Sequence, residues 1–231
     1  MTTTITGTAM HTDTQLFRLL QLSSVSLPVG GFAFSQGMEY AIDAGWVKNY
    51  AQTKAWLEDQ LEHSVAWVDL PLLRLAKDAA EHHDLVALMA LNDLALACRE
   101  TKELRLNDTA MGEALARLLR SQGVDVPFAV AEPVSFVVLF AVAAAHWNIN
   151  TPDTLKGFVW AWLENQVAAA TKLVPLGQTQ AQTLLGELQP ALCETINDSL
   201  AVDQDEVGAA LPMLAIASAR HETQYSRLFR S

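Results

Sequence analysis

The chain has 231 residues, 51% of them hydrophobic and 18% charged, with a formal net charge of −11. A chain this apolar can bury a sizeable core, and its acidic surface repels phosphate backbones, which excludes nucleic acid as the expected partner. Charged residues fall below the ~25% usual for soluble domains, which points to surface covered in an oligomer or a standing complex.

Residues 1–13 are rich in Thr and lack periodicity, so they are expected to form a flexible tail. The opening MTTTITGTAMHTDT has no basic start and no apolar h-region. With Cys98 and Cys193 far apart and outside any CxxC, a reducing cytoplasm and two free thiols are expected. Periodicity begins with Leu16, Phe17, Leu19 and Leu20 and stops at Ser23 and Ser24. In 53–68 the apolar residues Leu57, Leu61, Val65 and Val68 step by four, four and three, which predicts a helix. Leu85, Leu88, Met89 and Leu96 do the same for 82–99. Leu104, Met111, Leu115 and Leu118 predict helix over 100–120, as one helix or, where the NDT at 107–109 serves as a cap, as two. The run PVSFVVLFAVAAA at 133–145 is too short for a bilayer, which needs ~20 residues, and reads as a buried helix. The clearest pattern is 152–170, where Leu155, Phe158, Val159, Trp162, Leu163 and Gln166 share one face, Thr151 is the expected N-cap and Pro152 fits the first turn. Further helices are predicted at 176–188, 190–200 and 207–219, and no hairpin turn or sustained alternation signals a strand. The expectation is an all-α fold, a single bundle of about ten helices spanning 14–219, followed by a C-terminal segment over 220–231.

Several stretches carry candidate chemistry. AFSQG around Ser35 has the form A-x-S-x-G, a relative of the nucleophile elbow, which would make the chain a serine hydrolase with His146 or His221 as base. That elbow needs a strand before the serine, and Pro28 with Gly30 and Gly31 stands there instead. The same glycines lack the Lys of a phosphate loop, since the next Lys is Lys48. His11, His63, the EHHD at 81–84, His146 and His221 are candidate metal ligands, but no H-x-x-x-H spacing joins them. A nickel-storage protein built on these scattered histidines is the second alternative.

Three charge patterns stand out. Lys172 is the only Lys or Arg between Gly157 and Ala219, among seven acids, and reads as a helix-end charge or as an exposed contact beside a Pro/Gly bend. The ending SARHETQYSRLFRS inverts the charge balance with Arg220, Arg227 and Arg230 against Glu222, and places Tyr225 and Phe229 at i, i+4, a composition suited to docking. CRETKELRLND at 98–108 alternates in sign with Arg99 and Glu103 at i, i+4, the pattern of a solvated helix face.

The blocks LLQLSSVSLPVGGFAFSQGMEYAIDAGWV at 19–47, CRETKELRLND at 98–108, WLENQVAAATKLVPLGQ at 162–178 and LAIASARHETQYSRLFRS at 214–231 resemble the urease accessory protein F (UreF) family. The resemblance covers the chain beyond its tail. It implies an all-α homodimer without catalysis of its own, working in nickel insertion into apo-urease. It further implies binding to accessory protein D (called H in some systems), recruitment of the GTPase accessory protein G, and coupling of GTP hydrolysis to nickel delivery. No cofactor is implied as stably bound by the chain; nickel is handled by the complex. The family's G-facing surface maps onto Ser35, Gln36, Glu39 and Lys172, and its D-binding segment onto Arg220, Tyr225 and Arg227. Phe34 and Ala33 depart mildly from the family pattern, and nothing is carried over to 121–133. Drawn as a helix, the opening motif turns Phe34, Met38, Ala41 and Ile42 to the core. Ser35, Gln36, Glu39, Tyr40 and Asp43 then form an exposed polar ridge.

Overall fold

The computed structural model describes residues 7–230, and side chains from Thr14 onward. Helix α1 spans Gly7–Leu22 and α2 spans Met38–Asp43, joined by a loop with a 3-10 turn at Gly31–Ala33. Then follow α3 (Tyr50–Gln60), α4 (Leu70–Glu81), α5 (Leu85–Ala97), α6 (Lys102–Ser121) and α7 (Phe136–His146). The last four are α8 (Thr151–Leu173), α9 (Gln178–Glu187), α10 (Gln189–Ser199) and α11 (Pro212–His221). Among the described residues there is no strand, so the all-α expectation holds. No described helix is long and apolar enough to cross a membrane. The expected tail over 1–13 overlaps the start of α1 at Gly7, and its first six residues lie outside the described ones.

Helix α7 is the centre of the bundle. Every residue from Val137 to Ala144 is buried, because the helix is apolar all round and α4, α6, α5 and α8 enclose it. Helix α6 meets the chain entering α7 over Gly112, where any Cβ would overlap the carbonyl of Val134. Helix α8 crosses the other side of the core and touches α1, α2, α4, α9 and α10.

Helix α4 has no counterpart in the sequence reading, and it carries Pro71 in its first turn. A proline inside a helix lacks its N–H and clashes with the carbonyl four residues earlier. Here the segment Leu61–Asp69 winds as a π-helix between α3 and α4, so 50–81 is one continuous helical rod with Pro71 in the first turn of α4. The carbonyl that Pro71 cannot serve, that of Trp67, accepts instead from the Gly208 N–H at 3.2 Å. Helix α10 packs along the π segment and covers it.

Other boundaries move by small steps. Asn150, not Thr151, caps α8, accepting from the Asp153 N–H at 2.8 Å. Helix α6 runs unbroken through 107–109 and is capped by Thr101. The NDT does not divide it: Asn107 and Asp108 are buried, Asp108 is engaged by other elements, and the Thr109 hydroxyl donates back to the Arg105 carbonyl within the helix rather than capping a new one. His82 and His83 are exposed, and Asp84 of the same EHHD stretch caps α5. Both cysteines are free thiols, and burial pushes the Cys98 thiol up.

Candidate functional site

The opening motif folds differently from the helix drawn on its sequence. After the 3-10 turn, Phe34 is extended, and Gln36 and Gly37 both take left-handed backbone, with φ of 50° and 82°. Helix α2 starts only at Met38. The left-handed pair is the hinge that turns Ser35 and Glu39 inward, and glycine serves there because α11 lies against it. Ser35 and Glu39, expected on an exposed ridge, are 0% and 7% exposed. Phe34, Met38 and Ala41 do face the core, as the pattern predicts. Gln36 is half-buried and accepts from the Trp162 indole N–H at 3.2 Å, which ties the hinge to α8.

What covers the polar side of the motif is the chain's own C-terminal segment. The carboxylate of Glu39 accepts the backbone N–H of Leu228 at 2.6 Å on Oε1 and that of Phe229 at 2.9 Å on Oε2. The same Oε2 lies 2.9 Å from His221 Nε2. On the other ring nitrogen, His221 Nδ1 lies 2.7 Å from Glu103 Oε2, and Glu103 Oε1 accepts from the Arg227 guanidinium at 2.9 Å. The His221 ring is thus clamped between two carboxylates, one on each nitrogen. The two acids, the ring and the Arg227 guanidinium form one closed network. Buried ions persist only in such fully paired arrangements, since an unpaired one would face a penalty of several kcal/mol.

The segment continues along the motif. The Arg230 N–H donates to the Ala33 carbonyl at 2.8 Å, and the Arg230 guanidinium lies 6.0 Å from the Phe34 ring centroid. Phe229 is buried, and the Lys172 ammonium sits 5.4 Å from its ring and 6.0 Å from that of Phe32. Lys172 itself is exposed at the end of α8. Further back, Thr101 and Ser218 share a hydrogen bond of 2.7 Å, and Lys102 pairs with Glu222 at 2.7 Å. The opening motif, Lys172 and the C-terminal segment are therefore one assembly. Its outer surface shows Phe32, Tyr225, Leu228, Lys172, Arg220 and Arg230, while Glu39, Glu103 and His221 are inside.

The structure also corrects the reading of 98–108 as a solvated face. Arg99 does not pair with Glu103. It donates to Asp69 at 2.7 Å and to Asp108 at 2.9 Å, with Asp108 accepting in addition from the Ser135 hydroxyl and the Phe136 N–H. Burial works against the charge of Arg99, but Asp108 and Asp69 outweigh it and hold the guanidinium protonated. One guanidinium is shared by two carboxylates, and burial pushes the Asp69 carboxyl up against the pull of Arg99. This network staples the end of the π segment, the second turn of α6 and the start of α7 together.

A serine nucleophile finds no support in this geometry. Ser35 is enclosed, its hydroxyl accepts the Glu39 N–H at 3.4 Å, and both nitrogens of His221 are taken by carboxylates. Among the described residues no group of three or more His, Cys, Asp and Glu converges as a metal site. Sequence reasoning missed Glu103 and His221 as members of the assembly. A signal existed for one of them: a lone histidine at the boundary of α11 and the basic ending.

Comparison with known proteins gives a consistent result. A family model described as UreF matches residues 47–189. The urease accessory protein UreF of Marinomonas sp. (strain MWYL1) is 63% identical over 228 residues, covering 99% of both chains. That of Teredinibacter turnerae is 48% identical over 225 residues, covering 95% of this chain and 100% of its own. That of Alkalilimnicola ehrlichii is 47% identical over 218 residues, covering 93% and 95%.

Proposed function

The chain belongs to the UreF family of urease accessory proteins, which is non-enzymatic, and from that premise we propose that it is the adaptor that bridges accessory protein D (H in some systems) and the GTPase accessory protein G. In this reading it works in the cytoplasm as a homodimer. It couples GTP hydrolysis by protein G to delivery of nickel into apo-urease, and nickel is cargo of the complex rather than a resident of this chain. The observation that carries the reading is the joining of the opening motif, Lys172 and the C-terminal segment into one assembly through Glu39 and the Lys172–Phe229 contact.

An adaptor needs a rigid platform with a few exposed anchors, and aromatic and Arg side chains serve best as such anchors. Lys172, Phe32, Arg230 and Tyr225 supply that chemistry on an otherwise acidic body. Lys172 and the exposed edge of the opening motif face protein G. Arg220, Tyr225 and Arg227 face protein D, with Arg220 exposed and Tyr225 fully so. The test is co-purification of the chain with proteins D and G, with and without GTP and nickel. A ternary complex is expected, and failure to bind either protein overturns the reading.

A further inference from the structure

We infer that Glu39 and Glu103 are positioning residues, which with His221 form a latch holding residues 222–230 against the opening motif, and that the latched segment presents the partner surface. The inference rests on the adaptor reading above but changes the role of its residues. Glu39 is identified by resemblance as a contact for the GTPase, yet both of its oxygens are spent inside the molecule. They take the N–H groups of Leu228 and Phe229 and the Nε2 of His221. With 7% of its surface exposed, it has no face to offer a partner. Glu103 is likewise filled by His221 and Arg227.

The segment past α11 has no helix or strand of its own to hold it. Its described anchors are the two amides on Glu39, the Arg227–Glu103 pair, the Lys102–Glu222 pair, the Arg230 amide on Ala33 and the burial of Phe229 beside Lys172. The Lys102–Glu222 pair is exposed and weak. The Glu39 carboxylate is the one group that joins His221 to both tail amides. Removing it leaves three donors without an acceptor at a buried point, so the cheapest relief is for the segment to lift into solvent. Lifting exposes Phe229, separates Lys172 from the Phe229 ring and scatters Tyr225, Leu228 and Arg230.

The experiment uses the full-length chain, read by hydrogen–deuterium exchange and by co-purification with proteins D and G. The variants are Glu39→Ala, the isosteric Glu39→Gln, a truncation after Glu222, and Glu39→Ala combined with that truncation. In Glu39→Ala, exchange at Leu228 and Phe229 should rise about tenfold or more while α4 and α7 stay as protected as before. Glu39→Gln keeps an acceptor oxygen and the packing, so its effect should be smaller and in the same direction. Recruitment should fall in Glu39→Ala and in the truncated chain, and the combined variant should be no worse than the truncation alone. Tail amides that stay protected in both Glu39 variants, or losses that add in the combined variant, overturn the latch and make Glu39 a direct contact. Truncation that leaves recruitment intact overturns the adaptor reading of this surface and the inference with it.

Discussion

Replacing Asp108 with Ala tests whether the buried network around Arg99 holds the bundle together. Asp108 makes three bonds: to Arg99 at 2.9 Å, to the Ser135 hydroxyl at 3.1 Å and to the Phe136 N–H at 2.9 Å. The hydroxyl can rotate to another acceptor, but the Phe136 amide is the first turn of α7 and has no intrahelical partner. Leaving it bare costs about 1–3 kcal/mol. Arg99 keeps Asp69, so the broken ion pair is a partial loss, at the low end of the ~3–5 kcal/mol for a buried pair. The two together predict a loss of about 4 kcal/mol. Asn at the same position keeps an oxygen for the Phe136 amide but turns an NH2 instead of an acceptor toward Arg99, for a loss of about 2 kcal/mol. With an unfolding entropy of ~2.1 cal/mol/K per residue, 4 kcal/mol corresponds to a Tm lowered by about 8 °C. Thermal and urea unfolding of the two variants give the numbers. A loss under about 1 kcal/mol for Ala, or equal losses for Ala and Asn, would falsify the capping role and the weight placed on the network.

Other predictions follow the same logic. The Asp69 carboxyl is pushed up by burial, so its contribution to stability is present at pH below the unfolded value and is lost as pH rises through the folded one. Asp69→Asn has no such dependence, so the stability gap between wild type and variant should narrow as pH rises from about 4 to 8; a gap that widens refutes the direction. Gly112→Ala drives a methyl into the Val134 carbonyl and should cost roughly 3 kcal/mol, whereas Gly186→Ala, with nothing nearby, should be neutral or stabilise by up to ~1 kcal/mol in urea melts. Lys172→Ala should leave the melting curve within about 0.5 kcal/mol of wild type, because the residue is exposed, yet weaken recruitment of protein G. Unchanged urease activation at limiting nickel would count against that contact.

Much of the architecture is a local matter and was legible. The periodicity of 152–170, the all-round apolar run that became α7, and the lack of strand signals all report a property of neighbouring residues, and each element formed where its pattern lies. The four motif blocks identified the family for the same reason, since they are contiguous in the chain. Helix α4 has no counterpart in the sequence reading, and Pro71 in its first turn is a residue that by itself argues against a continuous helix. The feature that rescues it, a π segment whose free carbonyl is taken by Gly208, lies 141 residues away from the carbonyl's owner.

The candidate site shows the limit most clearly. A helical wheel sorts residues by side but cannot say what covers each side. It turned Ser35 and Glu39 outward, and it made 98–108 a solvated face, because polar side chains default to water. Tertiary structure reversed both assignments by bringing partners from afar: His221 stands 182 residues from Glu39 and 118 from Glu103. Burial of a charge is decided by whether its hydrogen bonds and counter-charges arrive with it, and that is a property of the folded chain, not of any window of sequence.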